Sequence, residues 1–96
     1  MVPELKKEVS VGTENREDLL LTLKPSKPGD GITVKIAGKG AVQFSEEIEV
    51  TVRSVLDEMN VTDVMVDIID YWAFDFTIRA RTRAAVIMAT DDQEAF

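Results

Sequence analysis

Cysteine and histidine are both missing from these 96 residues. The first absence excludes disulfides, thiolate nucleophiles and Cys/His zinc sites. The second removes imidazole acid–base chemistry. Carboxylates alone remain as metal ligands, and no EF-hand spacing is present. The sequence also has no Walker loop, no GxGxxG and no nucleophile elbow. Autonomous catalysis is therefore left with carboxylate pairs such as Asp67/Asp70 and Glu46/Glu47, and neighbouring surface acids are common. With no signal peptide and no transmembrane run, a cytoplasmic location without a membrane partner is expected. Bases are the minority charge, 11 against 18 acids, for a net charge of −7. That argues against nonspecific nucleic-acid binding, which rests on neutralising phosphates. It suits solubility and docking on a basic partner surface.

What is present is the balance of a globular protein: 45 % hydrophobic and 30 % charged residues. A single domain over residues 1–96 with a modest core is expected. Leu5–Val11 alternates weakly, as a first strand would. After the polar break at Gly12–Glu17, Leu19, Leu21 and Leu23 share one face of a second strand, Asp18–Lys24. Pro25–Gly31 is a loop, and Ile32, Val34 and Ile36 mark a third strand. Phe44–Met59 is ambiguous. Its first half alternates like a strand, while Phe44, Ile48, Val52, Val55, Leu56 and Met59 form one helical face. The helical pattern covers the whole stretch, with Ser45 as N-cap, Glu46 and Glu47 in the first turn and Asn60 as the C-terminal cap. Val61–Ile69 reads as a buried strand and Phe74–Ala80 as a further one. Ala84–Ala89 suggests a short helix, followed by a frayed tail at residues 91–96. The predicted order is β-β-β-α-β-β-α, an α+β two-layer sandwich. Asn60-Val61-Thr62 fits a glycosylation sequon, which carries no weight in a cytoplasmic chain.

Two features stand out in Asp70–Arg81 and the residues just after it. In an extended segment Arg79, Arg81 and Arg83 share one face with Asp75. Such a group either clamps a phosphate or carboxylate or forms a solvated face with an ion pair from Asp75. Tyr71-Trp72 stands where a turn would normally use Gly or Asn. The pair is either an exposed partner anchor or a ring folded back on the sheet edge.

The run from Gln43 to Arg81 resembles, without a gap, the acyl carrier (gamma) subunit of citrate lyase. The matching residues are Gln43-Phe44, Asn60-Val61, Asp70, Ala73, Asp75 and Ile78-Arg79-Ala80-Arg81. The malonate decarboxylase carrier is a more distant resemblance. Nearer the start, Gly12-Thr13-Glu14-Asn15-Arg16-Glu17-Asp18 is similar to the family's G-T-x-E-S-x-D at Gly12, Thr13 and Asp18. Arg16 occupies the serine position, and Tyr71-Trp72 replaces a Lys-Gly turn.

The resemblance implies a non-catalytic carrier with a helix at Phe44–Met59. In that family a serine holds phosphoribosyl-dephospho-coenzyme A through a phosphodiester, and the thiol of this arm carries acetyl and citryl groups. The implied partners are an acyltransferase (alpha) subunit, a lyase (beta) subunit and the enzymes that load the arm. A guanidinium cannot form the ester, so Arg16 breaks the pattern and Ser10 and Thr13 are the nearest substitutes. A carrier-fold paralogue acting as a binding or regulatory module is the alternative. Tyr71, Trp72, Asp75, Arg79, Arg81 and Arg83 are the candidate partner or phosphate contacts.

Overall fold

The computed structural model describes residues 2–90. Four strands and two helices follow one another as β1 (Val9–Gly12), β2 (Asp18–Pro25), β3 (Ile32–Gly38), α1 (Ala41–Glu58), β4 (Val64–Tyr71) and α2 (Asp75–Thr90). The expected tail at residues 91–96 lies outside the described residues. The class is α+β, and the order β-β-β-α-β-α has one strand fewer than the sequence suggested.

The strands form one mixed sheet in the order β1-β2-β4-β3. β1 and β2 make an antiparallel hairpin, β2 pairs antiparallel with β4, and β3 runs parallel to β4. Antiparallel neighbours can be joined by a short turn, whereas the parallel pair needs the α1 crossover. Alternation then sorts the side chains. Leu19, Leu21 and Leu23 of β2 and Val64, Val66 and Ile68 of β4 are all buried in one core. Helix α1 adds Ile48, Val52 and Leu56 to it, and α2 adds Ile78, Ala85, Val86 and Ala89. The opposite sheet face carries polar pairs such as Lys24–Asp67, 3.2 Å apart.

The missing strand is the first half of α2. Phe74, Phe76, Ile78 and Ala80 do alternate, but the residues buried are Ile78, Thr82, Ala85, Val86 and Ala89. That is helical spacing, and it extends through Ala84–Ala89, where the sequence suggests a short helix. Phe74 and Phe76 stay exposed and stack on each other, with ring centroids 5.5 Å apart. Two such rings imitate strand alternation without facing the core. The Phe74 carbonyl accepts from the amides of Thr77 and Ile78, both at 3.0 Å, which starts the helix.

Helix α1 begins at Ala41 and its N-cap is Gly40, without a side-chain cap. Ser45 therefore does not cap it, and Glu46 and Glu47 lie past the first turn. The helix breaks at Phe44, with φ −121° and ψ 17°, and the regular stretch follows this kink. The expected stop at Asn60 holds. Asn60 has φ 62°, its amide donates to the Asp57 carbonyl at 3.0 Å, and the Val61 amide donates to Leu56 at 2.9 Å. This is a Schellman ending, with buried Val61 and Leu56 as its apolar contact. Val61 belongs to that ending, so β4 starts later than expected, at Val64.

Candidate functional site at the β1–β2 loop

The β1–β2 loop is held by its own side chains. The Thr13 hydroxyl donates to Asp18 Oδ2 at 2.7 Å and accepts from the Asn15 amide at 3.1 Å. Glu17 sits at φ 68°, and its amide donates to the Tyr71 carbonyl at 2.6 Å. The Tyr71 hydroxyl reaches Glu14 at 3.4 Å. Burial, together with the Glu14 charge, raises the phenol above its ordinary range. These bonds tie the loop to the end of β4.

A second tie runs to α2. Arg81 grips Asp18 with two hydrogen bonds, Nε to Oδ1 at 3.1 Å and Nη2 to Oδ2 at 2.8 Å. Asp18 also accepts from the Leu19 amide at 2.7 Å. Burial alone would push the Asp18 carboxyl up. The Arg81, Thr13 and Leu19 hydrogen bonds and the Arg81 charge outweigh it and bring the group down to about 2. Residues 63 positions apart in the chain thus share one ion pair.

The three arginines do not share the single face that an extended segment would give them. On a helix, alternate residues are turned about 200° apart, so Arg81 leaves the side shared by Arg79 and Arg83. Each arginine has its own carboxylate. Arg79 pairs with Asp75 at 2.8 Å and Arg83 with Glu58 at 2.5 Å. Asp75 accepts in addition from the Thr51 hydroxyl at 2.9 Å, fastening the start of α2 to α1. Its carboxyl is held below the ordinary range by the Arg79 and Thr51 hydrogen bonds.

Between the starts of α1 and α2 lies a cleft of about 510 Å³, lined by residues that include Phe44, Ile48, Trp72, Phe74 and Ile78. Arg16 and Glu17, both exposed, also line it and place the β1–β2 loop at its rim. Tyr71-Trp72 is where the aromatic pair was expected to serve as an anchor or to fold back. The two residues separate: Tyr71 bonds the loop, while Trp72 remains 43 % exposed beside the cleft and meets Phe44 edge-on at 6.0 Å.

Asp70 supports this corner. Its carboxylate is buried and accepts from the Trp72 amide at 3.1 Å and the Ala73 amide at 3.2 Å. Asp67 points to the other sheet face, so Asp67/Asp70 is not an acid–base pair. Ser10 is also on that outer face, where its hydroxyl bonds Thr22 at 2.9 Å. Among the described residues no group of three or more acidic side chains could hold a metal ion, and no helix is long and apolar enough to cross a membrane. Sequence reasoning missed Asp18 as the partner of Arg81, and Ile48 and Thr51 as cleft walls. The last two read as ordinary helix positions until α2 is packed against them.

The chain matches an acyl carrier family described as malonate decarboxylase delta subunit over residues 6–89. It is 39 % identical over 83 residues to the citrate lyase acyl carrier protein of Latilactobacillus sakei, covering 86 % of this chain and 80 % of the relative. The Haemophilus influenzae citrate lyase acyl carrier protein is 34 % identical over 89 residues, covering 93 % and 90 %. In fold it is similar to a chain of a Pseudomonas malonate decarboxylase hetero-tetramer crystallised with malonate. The TM-score there is 0.65 at 21 % identity, over 92 % of this chain and 88 % of the other. With these matches spanning nearly the whole described sheet and both helices, the chain belongs to the acyl carrier protein family of citrate lyase and malonate decarboxylase.

Proposed function

We propose that this chain is the carrier, or gamma-type, subunit of a citrate lyase-type complex, docking with its β1–β2 loop and neighbouring cleft on acyltransferase (alpha) and lyase (beta) subunits. The observation that carries this reading is the meeting of Gly12–Asp18 with Ile78–Arg81 through the Asp18–Arg81 pair. These segments resemble the citrate lyase carriers, and their contact holds the loop at the cleft rim. A carrier makes and breaks no bonds of its own. It raises the local concentration of cargo at its partners and positions it. The acidic surface suits basic partner faces.

The arm of such carriers, phosphoribosyl-dephospho-coenzyme A, needs a hydroxyl at the loop, and the residues present do not fit it. Arg16 supplies none. The Thr13 hydroxyl is committed to Asp18 and Asn15. Ser10 faces away on the outer sheet surface. These observations favour a carrier-fold subunit without an ester-linked arm, acting as a binding or regulatory module within the complex.

Affinity purification from the native host, followed by intact-mass measurement, tests both halves. The chain is expected to bring down alpha- and beta-type subunits and to have the mass of the bare polypeptide. Purification without them overturns the subunit assignment, whereas a mass raised by the arm overturns its absence. Arg16→Ser, co-expressed with the loading enzymes, is expected to gain that mass.

A further inference from the structure

Two backbone irregularities aim at the same cleft. Trp72 has φ 68°, a left-handed conformation that disfavours side chains. Phe44 leaves helical geometry inside α1. Together they set two rings edge-on at 6.0 Å, with Ile48 and Ile78 lining the same cavity of about 510 Å³. A volume of this size with aromatic walls is typical of small-molecule sites.

The cation at the rim is equally distinctive. Arg53, Arg79, Arg81 and Arg83 each pair with a carboxylate. Arg16 has no carboxylate partner within salt-bridge distance among the described residues, although Glu17 and Glu47 also line the cleft. A guanidinium on the lining of a cleft with aromatic walls offers a fork of donors to a phosphate or carboxylate. The acids in the lining set the limit. Asp75 is neutralised by Arg79, but the charges of Asp70, Glu17 and Glu47 remain and oppose any anion. Binding there rests on direct contact with Arg16 and on apolar burial, and a ligand with several negative groups is disfavoured most.

We infer that the cleft is a reversible binding site for a small molecule with one anionic end, held by Arg16, and an apolar or aromatic body seated against Trp72 and Phe44. Its role in holding cargo without a covalent bond rests on the carrier reading above, while the site itself rests on the cleft geometry. Trp72 is the single tryptophan of the chain and reports occupancy directly.

The test is a titration followed by Trp72 fluorescence with phenylbutyrate, phenylbutyl phosphate and the uncharged phenylbutanol. At least one anionic probe is expected to saturate the signal. Arg16→Gln is expected to weaken it about tenfold or more, and phenylbutanol to bind wild type and variant alike. Carboxylate and phosphate heads are separated by which of the two anionic probes binds tighter. Phe44→Ala is expected to weaken all three probes. Absence of a saturable change with either anion up to millimolar concentration overturns the site, as does equal affinity of wild type and Arg16→Gln for both anions. The purification experiment above is independent of these outcomes, so the two readings fail separately.

Discussion

Single residues at this corner are constrained for different physical reasons. Gly40 has an ordinary backbone, yet an added Cβ would come 1.7 Å from Asp70 Oδ2. Gly29 has φ 93° but open space around it. Gly40→Ala must therefore displace the carboxylate that holds the Trp72 and Ala73 amides. It is expected to cost about 2 kcal/mol or more, through steric overlap and a broken buried hydrogen-bond network. Gly29→Ala faces only the left-handed backbone penalty, about 1 kcal/mol. Urea midpoints of the two variants check the ranking, and a Gly40→Ala cost equal to or below that of Gly29→Ala contradicts it. The need for glycine at position 40 is invisible in the sequence, because Asp70 lies thirty residues away and only the sheet brings it close.

At the scale of elements, Asp18 and Arg81 join the β1–β2 hairpin to α2. The Asp18 carboxyl, ordinarily near 3.8, is lowered to about 2 in the folded chain. The unfolded state then binds the proton more readily than the native state. The pair's contribution is full above pH 4 and is lost as pH falls from about 3.8 towards 2. Allowing for screening at the partly exposed guanidinium, the loss is about 1–2 kcal/mol. Asp18→Asn should remove this share of the acid sensitivity, visible as a smaller drop in urea midpoint between pH 5 and about pH 3. An unchanged drop would sink the assignment. Sequence pattern alone located β2, β3, β4 and α1 to within a few residues. It failed at Phe74–Ala80, because two exposed, mutually stacked rings mimic the period of a strand. The same error placed Arg79, Arg81 and Arg83 on one face, whereas the helix sends them to three separate carboxylates.

For the whole molecule, one core joins all of β2, β4, α1 and α2, and the cleft is built from the starts of both helices. A domain organised in this way should unfold as one cooperative unit. Trp72 fluorescence, which reports the cleft corner, and far-ultraviolet circular dichroism, which reports the helices, are expected to give coincident urea transitions. An earlier fluorescence transition would mean that the corner melts on its own. The net charge of −7 also acts at this scale. If the proposed docking on basic subunit surfaces holds, co-purification of those subunits is expected to weaken as salt rises past the physiological range, because screening shortens the reach of exposed charge.

The residues by themselves determined the class and the kinship. Alternating leucines, valines and isoleucines can bury only as a sheet with one covered face, and the α1 stripe supplies its cover. The Gly12–Asp18 and Gln43–Arg81 patterns marked the carrier family without any coordinates. Tertiary structure decided what local periodicity cannot encode, the partners of charged and aromatic side chains. It joined Asp18 to Arg81 across 63 positions, separated Ser10 from the loop by placing it on the far sheet face, and brought Arg16 and Trp72 to the lining of one cleft. These are long-range juxtapositions, fixed by how the sheet and helices pack and not by any residue's immediate neighbours.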